Sequence, residues 1–343
     1  MYETFFGLSG KPFQLNPDPA FLFGSRGHRR AMAYLEYGLH QGEGFIVITG
    51  EVGAGKTTLV RSLLERLNQD RVVAANLVNT QLEGDDILRV VAGAFGIPAK
   101  GRDKSDLLLA IETFLVEVTA AGKRALLFVD EAQNLSPVAL EELRMLSNIQ
   151  LEDHSLLQSF LVGQPEFRAV MRSPQMQQLR QRVIASYHLG PLDSEETQAY
   201  ILHRLRHVGW KDDPIFFPSV FDLIHAHSGG IPRRINALCD RVLLAACIAQ
   251  NHEIHDEDVQ DVVDELQEEF SLQPMTAAGT ESVSPLDDDV VRRADSRRLE
   301  ERIDRVEQSI NTALDVLNRL AEQVVPPSRP ETPPQDDNSE TLQ

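Results

Sequence analysis

Cysteine is nearly absent: Cys239 and Cys247 are the only two in 343 residues. Two cysteines exclude a CxxC zinc pattern and a disulfide framework. They stand eight residues apart on one expected helix, too far along its axis to be bridged, and read as core thiols in a reducing compartment. Basic residues are scarce beside acidic ones. The chain holds 33 Lys and Arg against 52 Asp and Glu, a net charge of −19. Sequence-independent nucleic-acid binding rests on neutralising phosphates, so this balance argues against nucleic acid as a partner, though it leaves room for a local basic patch. Long apolar runs are missing too. The longest, such as Val242 to Ala249, fall far short of a membrane span. Met1-Tyr2-Glu3-Thr4 lacks the basic start and apolar run of a secretory signal. The expectation is a soluble, cytoplasmic chain with no transmembrane segment. No Ser/His/Asp or Cys/His hydrolase pattern appears. His203 and His207 share one helix face, but Arg204-Leu205-Arg206 between them carries no zincin glutamate, which favours a solvated or partner-contacting face over a metal pair. His252 and His255 lie in a polar turn and need no special account.

What is present is concentrated in Gly50-Glu51-Val52-Gly53-Ala54-Gly55-Lys56-Thr57, which fits G-x-x-x-x-G-K-[ST], the phosphate-binding P-loop. Glycines let backbone N–H groups close in on phosphate oxygens. Lys56 reaches the β- and γ-phosphates, and the Thr57 hydroxyl ligates Mg²⁺. Such a loop must follow a strand and open a helix, so that the helix N-terminus also faces the anion. Phe45-Ile46-Val47-Ile48-Thr49 reads as a buried strand. From Thr58, counted with the loop as nucleotide-binding, Leu59, Leu63, Leu64 and Leu67 follow at helical spacing.

Around this loop the pattern alternates strand and helix, the signature of a parallel α/β sheet. Strands are expected at 44–49, 72–79, 124–129, 156–163 and 183–189, with helices at 56–68, 84–95, 105–121, 136–149 and 165–172. From Ser194 to Phe270 strand signals stop, and helices are expected near 194–208, 217–227, 231–249 and 256–269. This divides the chain into an N-terminal segment (1–43, with Pro12, Pro17 and Pro19 and then a helix from Gly27 to His40), an α/β nucleotide domain (44–192) and a small helical domain (193–270). A polar linker (271–293), a heptad helix (294–325) and a Pro-rich, acidic, disordered tail (326–343) complete it. In the heptad segment Leu299, Ile303, Val306, Ile310, Ala313, Leu317, Leu320 and Val324 hold an unbroken a/d register. Self-association as a coiled coil and an amphipathic helix folded back on its own domain both fit it.

Ala125-Leu126-Leu127-Phe128-Val129-Asp130-Glu131 is an apolar strand ending in two carboxylates, where α/β sheets place their ligands. Asp130 is suited to hold Mg²⁺ opposite Thr57, and Glu131 to polarise the attacking water. Gln164, at a neighbouring strand tip, can orient the water or sense the γ-phosphate. Arg180 and Arg182 precede the last strand, and either could stabilise phosphoryl transfer from a neighbouring subunit, Arg182 being the first choice. Gly229-Gly230-Ile231-Pro232-Arg233-Arg234 opens a helix of the small domain. Arg233 could swing onto the γ-phosphate, whereas Arg234 is the candidate for a solvent-facing neighbour.

With these residues named, residues 1–270 resemble the AAA+ superfamily of P-loop ATPases. The resemblance rests on Gly50 to Thr57, Asp130-Glu131, Gln164, the Arg182 region and Gly230-x-x-Arg233, in that order. It implies a parallel sheet of order 5-1-4-3-2 with a helical lid, ATP and Mg²⁺ bound between domains, and Arg182 acting in trans within a homo-oligomeric ring, a hexamer among the candidates. Phe5-Phe6-Gly7-Leu8, Pro12-Phe13, Pro17-Asp18-Pro19, Ser25-x-x-His28, Gly163-Gln164-Pro165-Glu166 and Tyr187-His188-Leu189-Gly190-Pro191-Leu192 look like the general secretion pathway A-type ATPases. Gly38 to Gly50 looks most like the secretion ATPases of exosortase (PEP-CTERM) loci, linked to surface-protein sorting and exopolysaccharide export. A-type proteins carry a transmembrane segment and a periplasmic peptidoglycan-binding domain after the ATPase. Neither pattern appears here, so a peripheral place at the inner membrane is expected to need a partner, with 294–325 as the candidate contact. Two rival readings remain open: a DNA-associated AAA+ ATPase of the transposition or loader type, and a regulatory binding module switched by ATP without turnover.

Overall fold

A computed structural model of the chain describes residues 1–271 except 17, 69, 78–85 and 153. Pro17, the ends of the expected strand 72–79 and helix 84–95 that run into 78–85, and the linker, heptad segment and tail beyond Ser271 lie outside the described residues.

Five parallel strands form the central sheet: β1 (Phe45–Gly50), β2 (Val72–Leu77), β3 (Arg124–Val129), β4 (Leu157–Gly163) and β5 (Val183–Leu189). Their order is β2-β3-β4-β1-β5, which is 5-1-4-3-2 read from the other edge, as the resemblance implies. Every residue of β1 and β4 is buried. Inner strands of a parallel sheet are covered on both faces, which is why they read as continuous apolar runs. Alternate side chains still go to opposite faces. Phe45, Val47, Leu127 and Val129 enter one core, and Ile46, Ile48, Leu126 and Phe128 the other.

On the second face lie α2 (Arg26–Gln41) and α3 (Lys56–Arg66), through Ala31, Leu35, Leu59 and Leu63, with Phe128 stacked on Phe160 at 4.4 Å. The first face is covered by α4 (Asp86–Ala94), α5 (Lys104–Ala120), α6 (Pro137–Leu146), α7 (Glu166–Arg172) and the short α8 (Gln177–Arg180). Helix starts follow capping chemistry: the Ser25, Asp103 and Ser136 side chains each accept a backbone N–H three residues on.

The third core joins α9 (Ser194–His207), α10 (Pro218–Ser228), α11 (Pro232–Ile248) and α12 (Asp256–Ser271). It also takes in the beginning of the chain. Tyr2, Phe6, Leu8 and Phe13 are buried in it, whereas α2 belongs to the sheet. Residues 1–43 therefore serve two bodies. Two further strands were not expected in this part: Ile215–Phe216 pairs in parallel with Glu253–Ile254. A hairpin of Gln150–Leu151 with His154–Ser155 precedes β4. Strands of two residues carry no periodic signal, so sequence patterning misses them. Cys239 and Cys247 are both buried on α11. Among the described residues no helix is long and apolar enough to cross a membrane.

Candidate functional site

The loop between β1 and α3 turns on glycines in the left-handed region, Gly53 at φ +83° and Gly55 at φ +97°. Both are also tightly covered. A Cβ on Gly53 would lie 2.3 Å from Cβ of Arg233, and one on Gly55 would lie 2.8 Å from Nε2 of His28. Only glycine meets both demands. The loop is thus clasped between α2 and the first turn of α11, where the Arg233 N–H donates to the Gly53 carbonyl at 3.2 Å. Lys56 is buried, and its ammonium donates to the carbonyls of Gly50 at 2.7 Å and Glu51 at 2.9 Å. Burial lowers the Lys56 pKa, against the opposing pull of Glu131, Asp130 and Glu51.

β3 delivers the two carboxylates to this loop. The Thr57 hydroxyl donates to Asp130 Oδ2 at 2.9 Å. A hydroxyl and a carboxylate side by side are hard oxygen donors of the kind Mg²⁺ takes, and they suit it here. Glu131 stands at φ +52°, a left-handed position unusual for a side-chain-bearing residue, and begins the short turn Ala132–Asn134. Its Oε2 accepts from the Gln133 amide at 2.5 Å and from the Gln164 amide at 2.9 Å. Burial opposes its ionisation, but these two hydrogen bonds and the Lys56 charge outweigh burial and hold its carboxyl below the usual range.

Lys56, Thr57, Thr58, Glu131 and Arg233 line a common cleft of about 360 Å³. Val52, Gly53 and Gly55 of the loop line it too, while Ala54 is buried and Glu51 exposed. Arg234 is exposed and does not line it. The sheet carries Arg182 to its other end. β1 and β5 run in parallel, so the residue before β5 lies at the end opposite the P-loop. There one Arg182 guanidinium nitrogen donates to the Ser147 carbonyl at 3.1 Å. Arg180 donates to the carbonyls of Met171 at 2.5 Å and Ser173 at 2.7 Å. Neither arginine reaches the cleft of its own chain.

Several residues of and around the cleft were given no site role from the sequence. Gln133 holds both Glu131 and the backbone of Gln164, whose N–H donates to Gln133 Oε1 at 2.9 Å. His28 packs under the P-loop with Nδ1 2.7 Å from Ser25 Oγ, and burial lowers its pKa. Tyr200, Arg204 and Asn236 of the helical layer and Phe21 of the N-terminal segment close the far wall. The one sequence signal for Gln133 is a polar side chain two residues beyond Glu131 with no capping duty. His207 lies against Phe21, with ring centres 4.1 Å apart, and His203 against Phe23, with ring centres 5.6 Å apart, which accounts for the pair as a packing face. Among the described residues no group of three or more His, Cys, Asp or Glu could hold a metal ion. His252 stacks on Phe5 and bonds Asp213 at 2.6 Å, and His255 stacks on Phe217.

Residues 39–171 match the AAA domain family. Over 255 residues the chain is 44% identical to "General secretion pathway protein A" of Aeromonas hydrophila, a match that covers 74% of this chain and 46% of that protein. The chain thus spans about half the length of that curated relative. Among solved structures it is similar to the Cdc6p of Pyrobaculum aerophilum, with a TM-score of 0.57 and 18% identity over 79% of this chain and 74% of that one. The Aeropyrum pernix ORC1 protein gives a TM-score of 0.55 at 17% identity, over 77% of this chain and 73% of that one. At such identities the likeness concerns the fold alone. The P-loop with its Asp130-Glu131 strand, the 5-1-4-3-2 sheet and these matches together give the chain a P-loop AAA+ fold, with residues 39–171 similar to an AAA domain and the chain similar to a secretion-pathway protein A.

Proposed function

We propose that the chain is a Mg²⁺-dependent ATPase, hydrolysing ATP to ADP and phosphate to drive assembly or movement of a partner. The observation that carries the reading is the convergence of Lys56, Thr57 and Glu131 on one cleft, with Asp130 bonded to Thr57 beside it, Glu131 held in a left-handed turn and its carboxyl biased towards ionisation. Loop amides and the Lys56 ammonium bind phosphate oxygens. Thr57 and Asp130 would hold Mg²⁺, which when bound neutralises charge on the phosphates. Glu131 takes the proton of the attacking water. Gln164 orients that water, and Arg233, at the cleft wall, stabilises the γ-phosphate. Arg182 acts on the site of a neighbouring copy in a homo-oligomeric ring.

The test is Glu131→Gln in the full chain. It is expected to bind ATP as tightly as the wild type and to hydrolyse it about 10²–10⁴-fold more slowly, the usual worth of a general base. Full turnover in this variant would remove Glu131 from the chemistry.

The likeness to a general secretion pathway protein A supports placing this cycle in a cell-envelope export system. The segment Gly38 to Gly50 supports the narrower assignment to exosortase-associated (PEP-CTERM) sorting or exopolysaccharide export, at the inner membrane through a partner. Cells carrying Glu131→Gln in place of the native residue are expected to stop exporting that cargo. Normal surface sorting and normal polysaccharide in such cells would rule the narrower assignment out.

A further inference from the structure

Gln133 sits between the tips of β3 and β4, on the turn Ala132–Asn134. Its amide is engaged at both ends. Oε1 accepts the backbone N–H of Gln164 at 2.9 Å, and Nε2 donates to Oε2 of Glu131 at 2.5 Å. A backbone N–H can only donate, so this contact fixes which end of the amide is oxygen and turns the NH₂ group to the carboxylate. The Gln164 amide donates to the same Oε2 at 2.9 Å. Two N–H donors on one carboxylate oxygen restrict rotation of the whole group. The backbone is shaped around this arrangement. The left-handed Glu131, at φ +52°, folds the chain back so that a residue two positions on reaches its carboxylate. β4 ends on Gly163, where a Cβ would stand 3.2 Å from Gln133 Oε1 and 3.0 Å from the Phe167 Cβ.

We propose that Gln133 is a positioning residue that locks the Glu131 carboxylate and the Gln164 amide into one unit aimed at the attacking water. The proposal rests on the reading of Glu131 as the proton acceptor. Gln133 does not line the cleft; it acts through its two neighbours. Without it Glu131 keeps one of these two amide donors, and Gln164 loses the partner of its own N–H. Both groups are then held by fewer bonds, and small misplacements of a base are costly in turnover.

The experiment measures turnover against ATP concentration for the full chain as wild type, Gln133→Met, Gln133→Glu and Glu131→Gln. Met keeps the length of the side chain and removes both hydrogen bonds. Gln133→Met is expected to lower kcat about 10- to 100-fold with KM for ATP within about twofold, the pattern of lost positioning with intact substrate binding. Gln133→Glu can still accept the Gln164 N–H but sets a second acceptor against Oε2 of Glu131, and is expected to lower kcat at least as far with KM again held. Wild-type kcat in Gln133→Met would overturn the proposal. So would a loss of turnover matched by a rise in KM, which is the mark of a scaffold role. If Glu131→Gln itself turns over normally, the proton-acceptor reading fails and the proposal falls with it; that outcome shows in the Glu131 variant and so stands apart from a failure at Gln133 alone.

Discussion

The two ends of the sheet use polar side chains in opposite ways. At the C-terminal strand ends, β1, β3 and β4 gather Lys56, Asp130, Glu131 and Gln164, where Gln164 donates to Glu131 and Thr57 donates to Asp130. At the N-terminal ends the polar groups go to the carbonyls that end helices. Arg124, which starts β3, donates to the Leu39 carbonyl at 2.8 Å. The buried Gln158 of β4 donates to the Gly38 carbonyl at 2.7 Å, and Arg182 donates to the Ser147 carbonyl just past α6. The cause is the βαβ path. It puts helix C-termini, with their unsatisfied carbonyls and negative dipole ends, beside the N-terminal strand ends, and helix N-termini beside the C-terminal ends. Cationic side chains are therefore structural at one end, while the other end presents N–H groups to anions.

Arg182 is the sharpest test of that division, because it is asked to serve both ends at once. If it completes the site of a neighbouring copy, Arg182→Ala lowers turnover about 10³-fold or more, the usual worth of such an arginine. Wild-type specific activity then rises with protein concentration. If Arg182 serves only the end of α6, its loss costs about 0.3–1 kcal/mol of stability and leaves turnover unchanged. The second result would keep the two ends functionally separate and remove Arg182 from the catalytic reading.

A smaller effect is expected when one cation is removed from each end. Lys56→Ala should weaken ATP binding about 10²-fold, since hydrogen bonds to a charged group are worth about 1.5–3 kcal/mol each. Arg124→Ala, at the other end of the sheet, should leave ATP affinity as it is. Equal losses in the two variants, measured by titration with a fluorescent ATP analogue, would show that the contrast between the ends has no bearing on nucleotide.

What was legible in the sequence follows from how local its cause is. β3 and β5 are found at their expected bounds because apolar runs flanked by breaks signal buried parallel strands without help from distant residues. The P-loop is legible for the same reason: its glycines, lysine and threonine act within one turn. Gln133 and His28 were not, because their roles exist only after β3, β4, α2 and the loop are brought together. The beginning of the chain shows the same limit. Its prolines speak for an irregular backbone, yet nothing local says that Tyr2, Phe6 and Phe13 fill the core of helices some 200 residues away. The two-residue strands at Ile215–Phe216 and Glu253–Ile254 are a product of helix packing and leave no pattern of their own.

The N-terminal segment and the helical layer are joined by two arginines that sharpen a different contrast, between buried and exposed ties. Arg204 of α9 is buried. Its Nε donates to the Pro12 carbonyl at 2.6 Å, another nitrogen donates to the Tyr200 hydroxyl at 2.7 Å, and its guanidinium lies 4.8 Å from the Phe21 ring centre. Arg204→Met keeps the aliphatic bulk but strands buried acceptors, for an expected cost of about 2–4 kcal/mol. Arg26, at the start of α2, pairs with Asp193 and Glu196 in solvent, its side chain 64% exposed. Such pairs are screened and pay for two ordered side chains, so Arg26→Ala should cost under about 1 kcal/mol. Urea unfolding of both variants gives the comparison. A loss at Arg26 equal to that at Arg204 would mean that the bidentate reach of Arg26 to two acids holds α2 against α9 more firmly than exposure allows. The expected result is that the exposed tie is nearly dispensable, and that the buried guanidinium, with carbonyl and hydroxyl oxygens as its acceptors, fixes the N-terminal segment over the cleft.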